Sequence, residues 1–192
     1  MSKGRWPDLV VMAFSSIGFS IPVFVVAYSI IYLFSVRAGL FPVQGYSPLA
    51  EGIGPWLHRM VLPYLSLGVV FSALIARIAR AALVEVLAHD YIKAARAKGM
   101  PVGHILFAHA LRNAAVSIVT VISSSFVMLI GGVGVTETVF NIPGLGRLVV
   151  GAIAQRDFPV IQGVIVVFAG VCIVINLIID LLYTILDPRI RY

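Results

Sequence analysis

The sequence predicts an all-α, polytopic membrane protein with four transmembrane helices, and three observations predict it. Of its 192 residues, 60% are hydrophobic and 11% charged, against roughly half and a quarter in ordinary soluble domains. Four uncharged stretches approach or exceed the about 20 residues that a helix needs to cross a hydrocarbon core about 30 Å thick. The basic residues fall between those stretches and are biased to one side of them. A mean hydropathy of +1.05 agrees, because no soluble core of this size has room for so much apolar surface.

The first span is read over residues 9–36. It starts behind MSKGRWPD and runs far past the roughly 7 to 15 apolar residues of a signal peptide, with no small-residue cleavage site, so it is read as retained. Pro22 predicts a kink within it. The second span, residues 61–76, measures only about 24 Å as helix, so its neighbours Arg77 and Arg80 either snorkel or begin a cytoplasmic extension. The third and fourth, residues 113–136 and 158–179, are long enough without such help. The segments Arg37–Met60 and Glu137–Asp157 carry FPVQGYSP and NIPGLGR, whose Gly and Pro mark turns.

Orientation follows from the basic residues. Lys3 and Arg5 precede the first span; Arg77, Arg80, Lys93, Arg96, Lys98 and Arg112 lie between the second and third; Arg189 and Arg191 are in the tail. The opposite side has Arg37, Arg59, Arg147 and Arg156. Ten against four places both termini and the 77–112 loop in the cytoplasm. The net charge of +6 is therefore explained by topology and not by a nucleic-acid surface, which requires basic residues gathered on a folded domain.

The 77–112 loop carries HDYIKAARAKGMP. Asp90 stands where an N-cap acceptor belongs, Gly99 suits the position after a helix C-terminus, and Pro101 blocks continuation, so the sequence predicts a helix over Tyr91–Lys98. Eight residues do not make a stable helix in water, so something must hold it. At 100° per residue Tyr91, Ala94 and Ala95 share an arc, Lys93 and Arg96 oppose it, and Lys98 complements the negative helix end. The residues alone leave two readings open: a helix that docks into a groove on a cytoplasmic partner, or a basic amphipathic loop resting on anionic lipid.

Motifs for chemistry are missing. No GxxxxGK[ST] loop is present for ATP, and neither HExxH nor GxSxG occurs. His58, His89, His104 and His109 flank the spans, and Cys172, the single cysteine, sits in an apolar stretch where packing is its natural role. Asn176 and Asp180, one turn apart on the last span, suit a role in orienting that helix. Ser117, Thr120 and Ser124 share a face of the third span, either lining a polar path or mediating helix packing. Gly131, Gly132 and Gly134 permit close approach or unwinding, and with Glu137 they suggest either a gate at the external mouth or a structured turn.

Five segments in order, DYIKAARAKG, HALRNA, ETVFNIPGLGRL, RDFPVIQG and DLLYTILDPRIRY, closely resemble signatures of bacterial oligopeptide and dipeptide ABC-transporter permeases, the first of the two permease subunits in particular. The resemblance runs from GRWPDLVVM to Tyr192. It implies a type I ABC-importer fold in which the segment Asp90, Tyr91, Lys93, Ala94, Ala95, Arg96, Lys98 and Gly99 is the coupling helix that docks on an ATPase. It also implies a second homologous permease, two ATP-binding subunits that hold ATP and Mg, and an extracytoplasmic substrate-binding protein. The chain itself is expected to bind no cofactor and no nucleic acid, to hydrolyse nothing, and to reside in the bacterial inner membrane.

The general EAAxxxG pattern begins here with Lys93 in place of Glu, and the usual I-x-L-P becomes His109, Ala110, Leu111, Arg112. Six spans are usual in the family, so the resemblance implies that these residues are a carboxy-terminal portion without the customary amino-terminal spans. The rival reading is a non-transporting scaffold or passive pore derived from such a permease.

Overall fold

The computed structural model describes residues 6–186, and every regular element among them is helical. Lys3, Arg5, Arg189 and Arg191, used above for orientation, lie outside the described residues. Helix α1, Trp6–Ser20, is followed by α2, Val23–Ile30, which continues into a π-helical turn over Ile31–Arg37. After a loop come α3, Ile53–Ala88, and α4, Asp90–Ala97. The short α5, Val102–His104, passes through a second π-helical turn, Ile105–Ala110, into α6, Leu111–Phe140. The short α7, Leu145–Gln155, and the long α8, Phe158–Leu186, complete the chain.

Three of these runs are long and apolar enough to cross a membrane: Ile53–Leu87, Val102–Phe140 and Phe158–Thr184. The count rises to four if α1 and α2, bent by 104°, are taken as one span. The kink expected at Pro22 is thus a full break. Proline supplies no N–H and disfavours helical geometry at Ile21 before it, so α1 ends and α2 restarts with Pro22 at its N-cap.

The helix of the second span, α3, is far longer than the uncharged stretch that predicted it. That stretch ends before Arg77, yet α3 continues to Ala88, and within the extension the Arg80 guanidinium grips Asp8 on α1. Most of the expected 77–112 loop is helix, interrupted at His89 and around residues 98–101. The segment after Glu137, expected as a turn-rich loop, contains α7.

Two apolar clusters tie the helices together at opposite ends. Ala82 and Val86 of α3 pack on Ala110 of the second π-helical turn and Ala114 of α6. At the other end, Ala27, Ile31, Leu62, Val139 and Phe140 join α2, α3 and α6. Between them α1 lies close on α3, where a Cβ on Gly18 would come within 2.7 Å of the Ala73 Cβ. The loop between α2 and α3 closes the C-terminus of α6. A helix leaves its last four carbonyls unpaired, and here Ile142 N–H takes that of Glu137, Asn141 N–H that of Thr138, the Gln44 amide that of Val139, and Gly45 N–H that of Phe140.

The remaining apolar surface points outward. Val166, Ile173 and Leu177 on α8 are more than half exposed, a pattern stable only in lipid or against another apolar helix.

Candidate functional site

Helix α4 begins one residue earlier than predicted. His89 is extended, with φ −65° and ψ 149°, and is the N-cap; Asp90 is the first helical residue and makes no capping bond. Its carboxylate instead accepts from Lys93 Nζ at 2.8 Å, while its charge still complements the positive end of the helix. The C-terminus is a Schellman closure: Met100 N–H donates to Ala95 O at 3.3 Å and Gly99 N–H to Arg96 O at 3.0 Å. Gly99 has φ +76°, the left-handed conformation that glycine takes at no steric cost.

What holds so short a helix is Ile92, fully buried at 0% exposure, with α4 packed against α3 and the π-helical turn Ile105–Ala110. Tyr91 adds a second anchor, its hydroxyl accepting from Asn113 Nδ2 of α6 at 2.9 Å. The same Asn113 amide donates to His109 O at 2.8 Å, and the His89 ring stacks on Tyr91 with centroids 5.7 Å apart. Neither Ile92 nor Asn113 was singled out by sequence. Ile92 is the one large aliphatic in DYIKAARAKG, and Asn113 is the one amide in HALRNA.

The arc of Tyr91, Ala94 and Ala95 is divided by this packing. Ala95 is half-buried on the side of Ile92, whereas Ala94 and Ala97 are exposed with Tyr91, Lys93, Arg96 and Lys98. The outward surface therefore combines small residues with cations. Arg96 also borders a groove between α1 and α3, lined by Asp8, Val11, Arg80 and Leu87.

Farther along α6, Ser117, Thr120 and Ser124 form an exposed row. Thr120 Oγ1 donates to Val116 O at 2.8 Å and accepts from the Tyr183 hydroxyl of α8 at 2.6 Å, and Ser124 donates to Thr120 O at 3.0 Å. Gly131 and Gly132 have open space where a Cβ would stand. The close approach is made two residues on, where a Cβ on Gly146 of α7 would be 2.5 Å from the Gly134 Cα.

Glu137, expected in the loop after the third span, lies in the last turn of α6 and caps the start of α7: its Oε2 accepts from Arg147 N–H at 2.7 Å. Gly144 makes room, since a Cβ there would run into the Glu137 carboxylate. Arg147 Nη1 in turn donates to Asn141 Oδ1. Among the described residues no three His, Cys, Asp or Glu side chains are grouped to hold a metal ion.

Comparison with known proteins fits these features. A family profile described as binding-protein-dependent transport system inner membrane component matches residues 1–192. The chain is 51% identical to a probable peptide ABC transporter permease protein of Sinorhizobium fredii over 190 residues, 99% of this chain and 61% of the relative. It is 43% identical to a putative peptide transport system permease protein of Brucella abortus and 42% identical to the glutathione transport system permease protein of Escherichia coli, covering 99% of this chain and 60% of each relative. The chain thus spans about three fifths of the length of these relatives. It is a multi-pass helical protein with the apolar helices that an inner-membrane component requires, and it belongs to the family of binding-protein-dependent transport system inner membrane components.

Proposed function

We propose that this chain forms part of the permease of an ATP-driven, binding-protein-dependent importer and moves peptides or closely related solutes across the bacterial inner membrane. The observation that carries the reading is α4. An eight-residue helix is held by a buried anchor, a tyrosine–asparagine bond and a Schellman closure while its Ala94 face stays open. A loop resting on lipid has no need of such positioning, whereas a docking element does. The relatives' names, peptide and glutathione transport, support the solute class.

On this reading α4 and both termini face the cytoplasm, in keeping with the ten-to-four basic bias. Asp90, Tyr91, Lys93, Ala94, Ala95, Arg96, Lys98 and Gly99 form the coupling segment that meets an ATPase subunit. A second permease completes the path, two ATPases bind ATP and Mg, and an external binding protein delivers solute. ATP-driven closure of the ATPases displaces α4, and the packing of α3 and α6 around Ala82, Val86, Ala110 and Ala114 carries the displacement into the long helices. The helices then exchange inward-open and outward-open arrangements, as differential binding of the nucleotide states requires.

The test is affinity purification of the tagged protein from membranes, followed by uptake in proteoliposomes supplied with the binding protein. ATPase subunits that co-purify and peptide uptake that requires ATP support the reading. Purification without ATPase, or solute flux that ignores ATP, identifies a scaffold or a passive pore.

A further inference from the structure

We infer that Asn113 is a positioning residue that converts displacement of α4 into movement of α6, with Tyr91 as its contact on α4 and Thr120–Tyr183 as the next joint, to α8. The inference rests on the permease reading and goes beyond it by naming the transmitting bonds.

Two kinds of contact join α4 to the rest of the chain. The Ile92 contact is apolar, and apolar burial resists separation without fixing direction. The Tyr91–Asn113 bond is directional, at 2.9 Å, so it follows a pull or a rotation of α4. Asn113 is well placed to receive it. It stands in the first turn of α6, and its amide also donates to His109 O in the π-helical turn just before α6. Such turns are weak points of a helix and gather at functional sites. One amide thus ties the moving element to the π-helical junction that leads into α6.

Thr120 lies seven residues beyond Asn113, two helical turns on and on the same face. Its hydroxyl accepts from Tyr183 at 2.6 Å. A rotation of α6 begun at Asn113 therefore pulls on α8 through Tyr183. Along one face of α6, α4 is joined at one end and α8 about a third of the way along, each by a side-chain hydrogen bond.

The experiment uses the whole reconstituted transporter with Asn113→Leu, Asn113→Gln, Tyr91→Phe and the Asn113→Leu/Tyr91→Phe double variant. Uptake, ATP hydrolysis and hydrogen exchange over residues 90–97 are measured together. Asn113→Leu retains its ATPase subunits and hydrolyses ATP but moves about fivefold less solute per ATP, the factor expected from losing one hydrogen bond. Exchange over residues 90–97 rises. Tyr91→Phe, which removes only the hydroxyl, lowers the ratio likewise, the double variant is no worse than the worse single one, and Asn113→Gln recovers most of it. An unchanged solute-to-ATP ratio in both Asn113→Leu and Tyr91→Phe overturns the inference, as does additivity in the double variant. Wild-type protein without ATP-dependent uptake overturns the permease reading itself and the relay with it, whereas a coupled wild type with indifferent variants overturns the relay alone.

Discussion

Arg80 on α3 holds Asp8 on α1 at two points, Nε to Oδ1 at 2.6 Å and Nη2 to Oδ2 at 2.8 Å. The pair is largely sheltered by the protein. Two parallel bonds give the contact an orientation that one Lys–carboxylate contact lacks. It pins the start of α1 to α3 where α3 outruns its apolar stretch.

Removing either partner breaks both bonds of this sheltered pair. Asp8→Ala and Arg80→Ala should each loosen α1, seen as faster proteolysis ahead of Pro22 and a lower unfolding temperature in detergent. Exchanging the pair, Asp8→Arg with Arg80→Asp, should recover most of the loss. Arg77→Ala, on an exposed side chain, should change little.

Ile92→Ala should cost about 2–5 kcal/mol of local stability at α4, the range for truncating a buried aliphatic. Hydrogen exchange over residues 90–97 should accelerate accordingly, while exchange in the middle of α8 stays as in wild type. Protection of α4 equal to wild type would show that the helix is held by something other than this anchor.

Gly146→Ala places a Cβ 2.5 Å from the Gly134 Cα, so the α6–α7 crossing must open, at about 1–3 kcal/mol. Gly131→Ala and Gly132→Ala meet open space and should be neutral or slightly stabilising, by up to about 1 kcal/mol. Thermal unfolding of the purified protein checks the ranking.

Glu137→Ala should destabilise the first turn of α7 by about 0.5–2 kcal/mol, as loss of a cap does. Gly144→Ala should mimic it, because the new methyl displaces the Glu137 carboxylate. Hydrogen exchange at Leu145–Arg147 reports both. An unchanged first turn would exclude the capping role.

Much of this fold was legible because a bilayer imposes a strong rule: apolar length and basic bias expose the helices without any knowledge of packing. The boundaries were less legible, since hydropathy marks where lipid ends and not where a helix ends. Arg80 is charged but paired across to α1, and only the fold brings Asp8 to it. The α4 helix was readable from Gly99 and Pro101, whose backbone demands are local. Its N-terminus shifted by one residue because His89, with no capping side chain, took the cap position and Asp90 turned to Lys93. Ile92 and Asn113 escaped notice because their importance is tertiary: a lone isoleucine between a tyrosine and a lysine acquires meaning only when α3 and the π-helical turn before α6 are placed beside α4. Glu137 beside a glycine-rich turn suggested a gate or a structured turn, and the fold uses it to cap α7, which neither hydropathy nor the turn residues revealed.

Whether the open face of α4 couples an ATPase to the membrane helices is decided by Ala94→Glu in the reconstituted transporter. Ala94 is exposed, so the variant should insert and fold as wild type does, while a charge on the docking face separates the two activities. ATP-dependent uptake should fall at least about tenfold while membrane insertion is unchanged. Uptake and ATP hydrolysis both at wild-type levels would contradict it.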